Sequence, residues 1–171
     1  MLPLLGLMLA DISNILPHQE RVSFECDVPS GRFSFWERQA SGSNITVAGT
    51  IQPKELRPST GWDPVANVTL LHGEKTMVGR LRVLASRDDR ELSAWYQANP
   101  AEPGKGNLIG KFPKTALPIT FSITLKDKAL TLAVAAESVS TEVPETGVSR
   151  VQLACSSGDF RFQDIVITEA P

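Results

Sequence analysis

RVQLACSSGDFRFQDIVI, residues 150–167, alternates apolar and polar side chains at the two-residue period of a half-buried β-strand. Val151, Leu153 and Cys155 share one parity. Phe160 and Phe162 share another, and Ile165 and Ile167 revert to the first. Ser-Ser-Gly-Asp reads as a turn, so the stretch is expected to be a final hairpin. A bulge near Gln163 and Asp164 would bring both the phenylalanine and the isoleucine pair to one core. The last strand is expected to dock beside VSFECDV, residues 22–28, and to close the fold.

The same alternation runs through the rest of the chain. VSFECDV is followed by a Pro-Ser-Gly turn and then FSFWERQ, residues 33–39; NITVAGTI, VANVTLL, MVGRLRVLAS and LSAWYQA follow, each ending at Gly, Pro, Asn or a charged tip. PITFSITLKDKALTLAVAA, residues 118–136, is the clearest hairpin, and because its KDK turn lacks glycine a loop longer than two residues is expected. About eleven strands in one domain require two packed sheets, since a single twisted sheet of that size leaves an apolar face in water. The fold class is therefore all-β, a two-sheet antiparallel sandwich. A short helix is expected only in LPLLGLMLADISNIL, residues 2–16.

The chain has 171 residues, 42% of them hydrophobic and 21% charged, with a formal charge of -2. That length supports one core without a staple. The near-neutral charge, with Lys and Arg scattered among Asp and Glu, argues against nucleic acid as a partner. The apolar opening MLPLLGLMLA is too short to span a bilayer, which takes about 20 residues. It matches the apolar region of an export signal ending at Ala10, without the usual positive start. The expectation is a secreted or periplasmic protein, in which residues 1–16 are a signal remnant or N-terminal segment and 17–171 are one domain.

The two cysteines, Cys26 and Cys155, have no zinc-ligand spacing. No metal or cofactor is expected. Both point inward by parity. Either they form a bridge closing a loop of about 129 residues, worth about 4–5 kcal/mol in the chain-entropy model, or they are unpaired core thiols.

Three stretches resemble the concanavalin A-like lectin and glucanase sandwiches, laminin-G-like domains included: NITVAGTIQPKELRPSTGWDPVANVTLL, ITLKDKALTLAVAAESVSTEV and SSGDFRFQDIVITEA. The resemblance implies a jelly roll and admits enzymes, lectins and structural modules alike. The glucanase members' Glu-x-Asp-x-x-Glu strand pattern is absent. The acidic run Asp88, Asp89 and Glu91 reads as a charged hairpin tip. His18 and His72 stand in no nucleophile setting, there is no G-x-S-x-G elbow, and GKGN precedes no helix that could cradle phosphate. No catalytic residue is assigned.

The aromatics point to carbohydrate, whose rings stack on aromatic faces while polar side chains bond the hydroxyls. Trp36, Trp62, Trp95 and Tyr96, with Arg57, Arg80 and Asp63 near them, are the expected ligand-binding set; the competing role for the aromatics is core packing. In FSFWERQ, Phe33 and Phe35 take one face and Trp36 the other beside Arg38; Trp95 and Tyr96 face opposite ways. The first expectation is a non-catalytic carbohydrate-binding module of an exported protein. The alternatives are a glycan-processing enzyme using Glu37, Asp63 and Glu91, and a structural module without a small ligand. Asn44 and Asn67 begin N-x-T triplets, read as chance placements in strands.

Overall fold

Alternating side chains bury one face of each strand and wet the other, and among the described residues that pattern forms ten strands. The computed structural model describes residues 17–74, 76–85, 91–99, 106–114, 118–144 and 147–170. Residues 1–16, with their expected helix and export signal, lie outside the described residues, as do Asp88, Asp89 and most of the Pro/Gly-rich stretch near residue 100.

The strands are β1 (His18–Gln39), β2 (Asn44–Leu56), β3 (Val65–His72), β4 (Thr76–Ala85) and β5 (Glu91–Ala98), then β6 (Asn107–Pro113), β7 (Ile119–Lys126), β8 (Ala129–Val134), β9 (Glu137–Glu142) and β10 (Arg150–Ala170). All pairings are antiparallel. The hydrogen-bonded order is β6-β5-β4-β3-β10-β2-β7-β8-β9, with β1 on the other side of β10.

β10 belongs to both layers of the sandwich. Its first part, Arg150 to Ser156, pairs with β3 on one side and with Phe33 to Gln39 of β1 on the other. Its second part, Gly158 to Ala170, pairs with β2 and with His18 to Val28. One layer is therefore β1-β10-β3-β4-β5-β6 and the other β1-β10-β2-β7-β8-β9. They meet face to face, with Gly79 of β4 against Leu130 of β8 and β6 near β9.

This continuity corrects two expectations. Residues 150–167 are not a hairpin, and Pro29-Ser30-Gly31 is not a hairpin turn. Both are bends in long strands that pass from one layer to the other. At Ser157 every neighbour leaves the ladder: β1 skips from Val28 to Phe33, and the partner on the other side changes from Leu56 to Val65. Ser157 has a left-handed backbone, φ 52°. Its Oγ accepts from Gly31 N at 3.0 Å, and its carbonyl accepts from Arg57 N at 2.8 Å.

The expected bulge is present. Asp164 has φ 53°, and the register with β2 slips between Gln163 and Val166. Gly49 faces the bulge, where a Cβ would sit 2.5 Å from Ile165 Cδ1 and 3.0 Å from the Gln163 carbonyl oxygen. The two irregularities reset the parity, so Val151, Leu153, Phe160, Phe162, Ile165 and Ile167 are all buried in one core.

The β7–β8 turn also departs from expectation. It is a two-residue turn in which Asp127 (φ 50°) and Lys128 (φ 68°) are both left-handed. Such a turn follows strand twist, and Asp tolerates this conformation without glycine. Asn44 Oδ1 accepts from Asp127 N at 3.2 Å.

Cys26 and Cys155 form a disulfide. Cys26 lies in the part of β1 that belongs to the second layer and Cys155 in the part of β10 that belongs to the first, so the bond crosses the core beside the bend. On the open edge near the other end of β1, Arg38 pairs with Glu20 and with buried Glu169, joining the layers there.

Two outcomes follow from the bend. Cys26→Ser/Cys155→Ser should lower the unfolding free energy by about 4–5 kcal/mol, read as a lower denaturant midpoint. Ser157→Ala, which strips Gly31 N–H of its acceptor, should cost about 1–2 kcal/mol by the same measurement.

Candidate functional site

In the first layer, the side chains that alternate with the core residues line the outer surface. Antiparallel registration places them in rows. One row runs Phe35, Ala154, Asn67, Arg82, Trp95, and the next runs Glu37, Gln152, Thr69, Arg80, Gln97. Nothing among the described residues packs over these rows as a further layer. Even so, Thr69 is only 1% exposed, and Ser156 and Gln97 are also buried. Buried polar residues on a face without a covering element mark a depression.

That depression holds about 270 Å³, floored by Asn67, Thr69 and Ser156 and walled by Phe33, Trp62 and Arg80. Trp62 comes from the segment between β2 and β3. Ser59 and Trp62 exchange backbone hydrogen bonds of 3.1 Å around a tight turn, in which Gly61 takes φ 80°. The turn presents Trp62 at 45% exposure, and on the β1 side Phe33 and Phe35 are 66% and 50% exposed. The floor is polar: Ser156 Oγ donates to the Asp63 carbonyl at 3.2 Å, and Arg80 Nε donates to Thr69 Oγ1 at 3.3 Å. Asn67 Oδ1 is buried without a hydrogen-bond partner. Burial, and after it the positive charge of Arg82, pushes Arg80 below the ordinary arginine range.

The face collects Trp62, Arg80 and Trp95 from the expected set, with Asp63 beside it through its backbone. It does not collect the other three. Trp36 and Tyr96 turn to the opposite side of their strands and pack against the core. Their register partners, Leu153 and Leu81, are core residues, so the parity of the sheet carries them inward. Arg57 is held at the bend. Its guanidinium pairs with Asp27 and Glu55, each at 2.5 Å, and donates to the Val28 carbonyl at 3.0 Å. Hydrogen bonds to Glu55 and then Asp27 raise its proton affinity above that of a free arginine, and Glu55 is lowered in turn.

Of the carboxylates Glu37, Asp63 and Glu91, Glu37 and Glu91 are not brought together. Glu37 stands on the edge strand β1, bound to Arg150 and Gln152 at 3.3 Å. Glu91 pairs with Lys111 at 3.7 Å, four strands away, roughly 19 Å in the pairing direction alone. Glycosidase carboxylate pairs stand about 5–10 Å apart.

Phe33, Phe35, Asn67, Arg82 and Gln152 were missed as candidates. Parity was the available signal: Val68 and Leu70 inward put Asn67 and Thr69 outward, and Leu81 and Val83 inward put Arg80 and Arg82 outward.

No family model matches the sequence, and no curated protein matches it. Solved structures do share its architecture. Alginate lyase PA1167 from Pseudomonas aeruginosa superposes with a TM-score of 0.57 at 12% identity, over 74% of this chain and 64% of that one. The alginate lyase from Alteromonas sp. 272 gives 0.60 at 5% identity, over 87% and 88%. The carbohydrate binding module CBM66 from Bacillus subtilis gives 0.50 at 12% identity, over 86% and 92%. What they share with this chain is the fold. It is a concanavalin A-like jelly-roll sandwich, as the sequence resemblance implied.

Asn67 yields an outcome that needs no ligand. A buried carbonyl without a donor costs about 1–3 kcal/mol, and valine suits a strand. Asn67→Val should therefore leave the urea-unfolding midpoint unchanged or raise it, where most substitutions at a buried site lower it.

Proposed function

We propose that the chain is a non-catalytic carbohydrate-binding module and that its ligand lies across the outer face of the first layer. The observation that carries this reading is the uncovered depression. It has a buried polar floor with the unpartnered Asn67 acceptor, and aromatic faces stand on its walls and beside it. A sugar matches both halves of that surface. Its C–H face stacks on an indole or phenyl ring, and its hydroxyls are the donors that Asn67 Oδ1 lacks. The register neighbours Arg82 and Trp95 extend the surface toward β5, long enough for more than one sugar unit.

The four-strand separation of Glu37 and Glu91 favours binding over hydrolysis by that pair. The Cys26–Cys155 bond supports an extracellular or periplasmic setting, because disulfides persist where the environment is oxidising.

A glycan array followed by calorimetric titration tests the assignment. Trp62→Ala and Trp95→Ala should each weaken binding of the selected glycan at least about tenfold, roughly 1.4 kcal/mol, without moving the melting temperature by more than a few degrees. Failure of every glycan to bind, or indifference to both substitutions, would overturn the reading.

A further inference from the structure

Among the described residues, arginines that lose solvent meet carboxylates, with two exceptions. Among the partly buried arginines, Arg38 pairs with Glu20 and Glu169, Arg57 with Asp27 and Glu55, Arg150 with Glu37, and Arg161 with Glu25. Arg80 and Arg82 meet no carboxylate among the described residues; the one polar contact of the pair is Arg80 with Thr69. They stand two residues apart on one face of β4, roughly 7 Å from each other along the strand. The acids of the same face do not relieve them, since Glu37 is taken by Arg150 and Glu91 by Lys111.

Two like charges side by side, one of them largely desolvated, raise the energy of the empty protein. A bound anion reverses the sign of that contribution. Cross-strand registration sets Arg82 between Asn67 and Trp95, and Arg80 beside Thr69 on the floor of the depression. Arg82 thus lies between the acceptor that calls for a hydroxyl donor and the half-buried indole of Trp95, with Arg80 in the next row.

We propose that the ligand of this face is an acidic glycan whose carboxylate or sulfate groups are bound by Arg80 and Arg82. This rests on the carbohydrate-binding reading above and adds the chemical class. A guanidinium donates two parallel hydrogen bonds to either anion, which selects a fixed oxyanion geometry and not charge alone. Stacking on Trp95 and donation to Asn67 orient the ring that carries the anion.

The test titrates the full chain with three oligosaccharide classes of matched length: uronic-acid, sulfated neutral-sugar and unsubstituted neutral. Arg80→Gln/Arg82→Gln is compared with Arg21→Gln/Lys126→Gln, which removes the same charge from the second layer. Uronate or sulfated oligomers should bind at least tenfold more tightly than neutral ones, and whichever class binds identifies the anion. The Arg80/Arg82 variant should lose that tenfold preference while keeping its melting temperature, and the Arg21/Lys126 variant should keep it. Equal binding of neutral oligomers, lost in Trp95→Ala but not in Arg80→Gln/Arg82→Gln, would overturn the acidic class and leave the carbohydrate site standing. Acidic binding lost equally in both charge variants would show attraction by net charge and overturn the assignment to this pair. No binding in any class would remove both readings together.

Discussion

Ser157 is the point at which one sheet becomes two. A continuous antiparallel ladder of ten strands would bury nothing on one of its faces, and closure of the core requires that ladder to fold over on itself. Ser157 takes the left-handed conformation there and receives hydrogen bonds from both flanking strands, at Gly31 and at Arg57. Arg57 in turn gathers Asp27, Glu55 and the Val28 carbonyl, so the bend in β1 is held against the bend in β10. Gly158 is confined by the same crossing, with 2.6 Å between the position of a Cβ and the Glu55 carbonyl oxygen. The facing of the two layers, and the burial of Phe160 and Phe162, depend on that turn of the chain.

The outer faces of the two layers differ in chemistry although they are built by the same alternation. The second layer presents small hydroxylated side chains: Thr168, Thr46, Thr124, Thr131 and Ser140 lie in one row. Two pairs in that row bond one another, Thr46 with Thr124 and Thr131 with Ser140, each at 3.1 Å. Their polar groups are satisfied within the surface. The first layer has longer, mixed side chains, a recess and the unpartnered Asn67 Oδ1. A surface that satisfies itself gains little from a ligand, whereas one that leaves Asn67 Oδ1 without a donor and Arg80 and Arg82 without a carboxylate gains a good deal.

Strand positions, the sandwich and the bulge beside Gln163 were legible because each follows from local alternation and a change of parity. The two bends were not. Pro29-Ser30-Gly31 and Ser156-Ser157-Gly158 have turn composition, and only pairing with residues more than a hundred positions away makes them passages between layers. The two-residue Asp127-Lys128 turn was hidden for another reason: a left-handed pair without glycine is uncommon, and here Asn44 from a third strand holds it. For the site, parity separated Trp95 from Tyr96 and Phe33 from Trp36 correctly. It could not say which side of β1 faced the core, since that edge strand carries large aromatics on both. The disulfide, left open by sequence, follows from the approach of Cys26 and Cys155 across the bend.

The partnership of β1 with β10 joins His18 to Glu169, 151 residues apart, along the whole length of both strands. During synthesis, β2 to β9 emerge before the strand that links them into one order, so neither layer is complete until the last strand is available. Folding of this kind is governed by closure of loops of up to 151 residues, which places it among slow, non-local folders. The bond between Cys26 and Cys155 fastens that paired ladder beside its bend.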